Sequence, residues 1–291
     1  MRKLLVIVRV IALAVPMLAQ ATPMASASPS STQVAAGPEA QAPGARNPVG
    51  VLGPVDALGQ EVKRPPAPTD PPPRLPDGTI DLTDGIWVSV PSFGPNIAQG
   101  LKSGEVLPLL PSAAALMSSR TGPDDPVNWC LPLGVLRYSP YPFRFIQNST
   151  HKKPTHMYIL SEWMGSFRQI FMDGRQHPPE PDPTWFGHSI GSYENDTLVI
   201  DTVGFNDKFW FDRRGTPHTA QLHTIERWTR LDRGHLMQEV TIDDPGAYSR
   251  PFTVRFPAML SAPGDDLIEY VCQENNQYGI ASGSSKPSAG P

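Results

Sequence analysis

From Val135 onward the chain sets apolar and polar residues in short alternating runs divided by turn residues, most cleanly between Trp185 and Asp244. A period of two marks β-strands, because successive side chains point to opposite faces. In WFGHSIGSYENDTLVIDTVGFND, Asn195-Asp196 tolerate the positive φ of a two-residue hairpin turn. Glu194 then faces Thr197, Ile190 faces Asp201 and His188 faces Val203. One face carries His188, Ile190, Val199, Asp201 and Val203. The other carries Ser189, Gly191, Tyr193, Leu198, Ile200 and Thr202. His188 and Asp201 become diagonal neighbours, roughly 7 Å apart at the backbone.

In LHTIERWTRLDRGHLMQEVTIDD the loop is Asp232-Arg233-Gly234, with Gly234 expected in the left-handed conformation. Leu231 then faces His235. Leu222, Thr224, Glu226 and Trp228 share a face with Leu236, Gln238, Val240 and Ile242. His223, Ile225, Arg227 and Thr229 share the other with Met237, Glu239, Thr241 and Asp243. This register pairs Arg227 with Glu239 and His223 with Asp243, and a one-residue slip would mix the two sets.

Further strands are expected at about Ile86–Val90 and in LRY, PFRFIQNS, THMYILSEW, SFRQIFMD, SRPFTVRFPAML and DLIEYVCQE. The Ala run in LPLLPSAAALMSSR predicts one helix over about Ser112–Ser119, with Ser112 as its N-cap. About ten strands and one short helix predict an all-β domain over residues 78–278. It is expected to be a single antiparallel meander β-barrel, long enough to enclose a cavity.

The first 77 residues differ. Arg2 and Lys3, the apolar run Leu4–Leu18 and the small-x-small Ala19-Gln20-Ala21 read as a secretory signal over residues 1–21. The run is too short, and too interrupted by Arg9, for a membrane span. Export places the protein in the periplasm or outside the cell. Residues 22–77 are rich in Ala, Pro, Ser and Gly and read as a linker, and residues 279–291 as a disordered tail. The two cysteines, Cys130 and Cys272, are expected to form a disulfide in that compartment. Removing the signal leaves 21 basic against 28 acidic residues, a charge of −7, with no basic patch for nucleic acid.

Candidate chemistry follows from the registers. A His beside an Asp, as with His188 and Asp201, is an acid–base pair or a structural hydrogen bond. Glu226 lies on an apolar face, so it must be hydrogen-bonded, paired or shifted upward in pKa. These three are the catalytic candidates. Arg175 and His177 in MDGRQHP, His218 in RRGTPHT, Trp228 beside Glu226 and Tyr158 are the candidates for substrate contact. His218-x4-His223 matches no zinc pattern, so no metal is expected. No phosphate loop or dinucleotide fingerprint is present, so no cofactor is expected. Gly187-His188-Ser189-Ile190-Gly191 lies inside a strand rather than at an elbow, which argues against a serine hydrolase.

Gly85-Ile86-Trp87 resembles the Gly-x-Trp of lipocalin-type barrels. A wider resemblance, over about residues 76–278, is to a widespread family of largely uncharacterised exported bacterial proteins. It rests on DLTDGIW, CLPLGVLR, PFRFIQ, MDGRQHP, PTWFGHSIGSYENDTLVIDTVGFND, LHTIERW, VTIDDPGAYSRPF and LIEYVCQEN. The chain departs from it at Ser192-Tyr193 and Asn195, where that family more often has Arg-Trp and Gly. The resemblance implies export and a shared lipocalin-like barrel, and no activity.

Three functions remain open. One is an enzyme taking a small hydrophobic molecule, aromatic ones included, through lyase, isomerase or hydrolase chemistry. Another is a carrier of such a molecule, and the third a structural domain on a Pro-rich tether. A cavity walled by both Glu226 and His188–Asp201 would favour the first, and a filled barrel the third. Nothing in the sequence sets an oligomeric state.

Overall fold

The computed structural model describes residues 65–90, 94, 96–137, 141–148 and 154–274. The expected signal, most of the expected linker and the expected tail lie outside the described residues. Nine strands form a closed barrel: β1 (Trp87–Ser89), β2 (Phe143–Gln147), β3 (His156–Ser161), β4 (Phe167–Phe171), β5 (His188–Glu194), β6 (Thr197–Val203), β7 (His223–Arg230), β8 (His235–Asp243) and β9 (Phe252–Leu260). Each strand pairs with the next, and β1 closes on β9 through Trp87 opposite Leu260.

Both hairpins hold the expected registers, His188 opposite Val203 in one and His223 opposite Asp243 in the other. Asn195 takes the left-handed conformation at φ 55°. Gly234 does not. A side chain there would strike the backbone of Pro68 at 2.4 Å, so the glycine is needed for close approach instead. Residues 65–82 run along this end of the barrel. Arg233 N–H donates to Asp70 O at 2.7 Å, and Arg74 grips Asp196 with both terminal nitrogens at 2.8 and 2.6 Å.

Three expectations need correction. The sheet is mixed, because β4 and β5 run parallel, with Ile170 opposite Ser189 and Phe171 opposite Ile190. Parallel neighbours require the chain to return to the same end, and residues 172–187 make that crossover. Gly191 lets the seam close, since a side chain there would meet Met172 Sδ at 2.6 Å. Second, two expected strands do not form. Leu136 and Arg137 turn instead, with Arg137 gripping buried Asp125 at 2.8 and 2.5 Å. The segment 266–274 has no strand to join, because β1 and β9 consume both edges. It is held by the Cys130–Cys272 disulfide, with Cα atoms 5.6 Å apart, and by Tyr270 against Trp163 and Tyr141. Third, the helix α1 (Pro111–Ser119) starts at a proline, with Leu110 rather than Ser112 at the cap. Proline's fixed φ suits that first position.

Among the described residues the interior is packed with apolar side chains. Trp87, Phe143, Phe145, Met157, Ile159, Ile170, Leu198, Ile200, Trp228 and Leu236 form one buried cluster reaching inward from seven strands. Trp228 on β7 meets Phe145 and Phe143 on β2 edge-on, at 5.2 and 5.6 Å across the barrel. A second cluster, including Phe205, Phe209, Phe211, Val240, Ile242, Val254 and Phe256, takes in the long connection between β6 and β7. Among the described residues no helix is long and apolar enough to cross a membrane.

The disulfide closes a loop with a sequence separation of 142. In the chain-entropy model that stabilises by about 5 kcal/mol. Replacing both cysteines with Ala should lower the unfolding free energy by about 2–5 kcal/mol, read as a lower denaturation midpoint. An unchanged midpoint would show that the bond constrains nothing.

Candidate functional site

The barrel strands carry ionisable groups on both faces, and the two sets behave differently. Inside, Glu226 is fully buried. Its Oε1 lies 2.6 Å from Arg168 Nη1, and its Oε2 accepts from Gln238 Nε2 at 3.0 Å and Trp228 Nε1 at 3.1 Å. Arg168 also donates to Ser189 Oγ at 3.1 Å and Thr202 Oγ1 at 2.7 Å. Side chains from β4, β5, β6, β7 and β8 thus meet in a single polar layer inside the barrel. The carboxylate is paired on both oxygens and serves the fold.

Outside, β5, β6 and β7 bring together a second group, completed by the crossover. His177 Nδ1 lies 2.8 Å from His188 Nδ1, and His177 Nε2 lies 3.3 Å from Asp201 Oδ1. His223 Nε2 reaches the same Oδ1 at 2.7 Å. One set of tautomers satisfies every contact. His223 and His177 each donate from Nε2 to Asp201, which leaves His177 Nδ1 a lone pair. His188 donates to that lone pair from Nδ1, and its own Nε2 is left unprotonated. Burial, then the neighbouring His177 and Arg175, lower the pKa of His188 below its ordinary value. The imidazole is therefore neutral at pH 7 and available as a base. His177 uses its two nitrogens on different partners and bridges the set. Among the described residues no group of three or more His, Cys, Asp or Glu side chains is arranged to hold a metal ion.

Two grooves flank this chain and share Phe171. One, of about 310 Å³, is lined by Phe167, Phe171, Pro178, Pro181, Phe186 and His188 among others. The other, of about 480 Å³, has Ile190, Val199 and Ile225 with Asp201, Arg175 and Arg227. The Arg175 guanidinium lies 3.8 Å from the Phe171 ring centre and is held there by Asp173.

The sequence candidates therefore separate. His188, Asp201, His177 and Arg175 converge on the outer face. His188 and Asp201 are joined through His177 rather than directly. Glu226 and Trp228 point the other way, so no single cavity has Glu226 and the His188–Asp201 pair in its wall. Tyr158 stands on the outer face of β3, its ring 6.2 Å from His156, and lines neither groove. His218 is buried against Phe209 and Phe211 at 3.8 and 5.2 Å. From the sequence, His223 is a candidate only as a metal ligand, set aside because its spacing to His218 fits no zinc pattern and its register partner is Asp243; its contact with Asp201 is not foreseen. The β6–β7 register, with Asp201 opposite Ile225, brings it diagonally beside Asp201.

No family model matches the chain, and no curated protein or solved structure does.

Two outcomes test this division. Arg168→Met strands Glu226 in the interior and should cost about 3–5 kcal/mol of stability, and adding Glu226→Leu should recover most of it. A double variant as unstable as the single one would contradict the pairing. Burial drives the His218 pKa down from 6.5 to about 4. The unfolded chain thus takes the proton first, and stability falls as pH drops from about 6.5 toward 4, by on the order of 3 kcal/mol. His218→Phe should flatten that slope in denaturant titrations. An identical slope would place the acid sensitivity elsewhere.

Proposed function

We propose that the protein is an exported β-barrel enzyme that performs cofactor-free acid–base chemistry on a small hydrophobic molecule. The reaction is of lyase, isomerase or hydrolase type. The observation that carries this reading is the hydrogen-bonded run His188–His177–Asp201, with His223 on its far side, beside an aromatic groove. Proton transfer needs a neutral base with somewhere to pass the proton. His188 Nε2 takes a proton from the substrate and leaves the electron pair on it. The Nδ1 proton of His188 passes to His177 Nδ1, and the Nε2 proton of His177 passes to Asp201. Phe167, Phe171 and Phe186, which line the 310 Å³ groove, supply the apolar contact. Glu226 has no part in this chemistry. The packed interior disfavours a lipocalin-like carrier holding its ligand inside and by itself favours a structural domain; the outer histidine–aspartate run beside an aromatic groove is what favours an enzyme instead.

The test is deuterium incorporation from D2O into small hydrophobic ketones, enones and esters, followed by mass spectrometry with the purified chain. Wild-type protein should catalyse exchange or elimination, with kcat/KM falling as pH drops through the lowered pKa of His188. His188→Ala should lose 10²–10⁴-fold, and His177→Ala should lose rate with little change in KM. Full activity in His188→Ala, or no turnover of any compound, would overturn the reading.

A further inference from the structure

The 480 Å³ groove adjoins the aromatic groove at Phe171 but has chemistry of its own. Its floor is laid by three apolar side chains on adjacent strands: Ile190 on β5, Val199 on β6 and Ile225 on β7. Asp201 stands among them, opposite Ile190 on one side and Ile225 on the other. Its Oδ1 is occupied by His177 and His223, whereas its Oδ2 has no partner among the described residues. Two guanidiniums line the same groove. Arg175 spends Nε and Nη2 on Asp173, and Arg227 spends only Nη2 on Glu194, at 2.8 Å. Nη1 of Arg175, and both Nη1 and Nε of Arg227, have no partner among the described residues. Both arginines are about two-fifths exposed, so their existing ion pairs are weak and readily shared.

We infer that this groove is a second ligand site, for a small planar carboxylate that carries a hydroxyl at its other end. The hydroxyl donates to Asp201 Oδ2, the ring lies on Ile190, Val199 and Ile225, and the carboxylate takes the unused guanidinium N–H groups. The spacing is consistent. Asp201 and Arg227 are diagonal neighbours across β6 and β7, with backbones roughly 7–8 Å apart. One aromatic ring with substituents at opposite ends spans such a distance. A ligand there would touch the carboxylate that ends the proton path, so its occupancy would be felt at His188.

The probe is 4-hydroxybenzoate, titrated into the full chain by calorimetry and by backbone amide NMR. Benzoate lacks the hydroxyl, and 4-hydroxybenzyl alcohol lacks the carboxylate. The expected result is saturable one-to-one binding of 4-hydroxybenzoate, at least tenfold tighter than either analogue, with shifts centred on Ile190, Val199 and Ile225. Arg227→Gln, at a half-buried strand position, should weaken 4-hydroxybenzoate tenfold and leave the alcohol unchanged. Asp201→Asn should weaken 4-hydroxybenzoate and leave benzoate unchanged. Absence of saturable binding, equal binding of all three compounds, indifference to Arg227→Gln, or shifts centred instead on Thr184 and Phe186 would each overturn the inference. None of these readouts depends on turnover, so the acid–base reading can fail without them, and they without it.

Discussion

A guanidinium and a carboxylate taken out of water each lose hydration worth several kcal/mol, recovered only by close pairing and by hydrogen bonds to what remains. Arg168 and Glu226 meet that condition at 2.6 Å, with Ser189, Thr202, Gln238 and Trp228 taking up the other donors and acceptors. The pair matters because of where it lies. The β4–β5 seam is parallel and rests on two residue pairs, Ile170 with Ser189 and Phe171 with Ile190. Arg168 reaches from β4 across that seam to β5, β6 and β7, and so ties this short parallel joint from within. The same layer fills the interior with polar groups that are already paired with one another.

Chemistry is therefore displaced to the outer face. The crossover that makes β5 parallel to β4 also lays His177 and Arg175 over the outside of β4 to β6. Its residues line both grooves, and its one imidazole joins His188 to Asp201. A tight hairpin at this point would have given a simple meander and no site. The parallel joint needs the inner ion pair for stability, and the outer residues use the connection that the joint demands.

The hairpins were legible in the sequence because local turns set them. Asn195-Asp196 and Asp232-Arg233-Gly234 fix the registers of four strands and sort His188 from Ser189 and Glu226 from Arg227 onto opposite faces. The parallel seam was not legible, because the direction in which a strand returns after a Pro-rich crossover depends on partners distant in sequence. Arg168 was invisible as the partner of Glu226 for the same reason, since no local pattern links positions 58 residues apart. DLIEYVCQE has strand composition, but composition does not supply an edge, and the β1–β9 closure removes both. His223 was readable as an outward histidine. Its contact with Asp201 required the β6–β7 register, which the long connection 204–222 leaves open.

The role given to Arg168 and Glu226 predicts a pattern of local stability. Amide hydrogen exchange measured strand by strand under native conditions tests it most directly, because a seam that opens by itself exchanges at a lower free energy than the whole fold. The amides of the Ile170–Phe171 and Ser189–Ile190 seam should exchange as slowly as those of β7 and β8, through global unfolding alone. Seam amides that exchange through a separate, lower-energy opening would show that the buried pair does not hold the barrel closed.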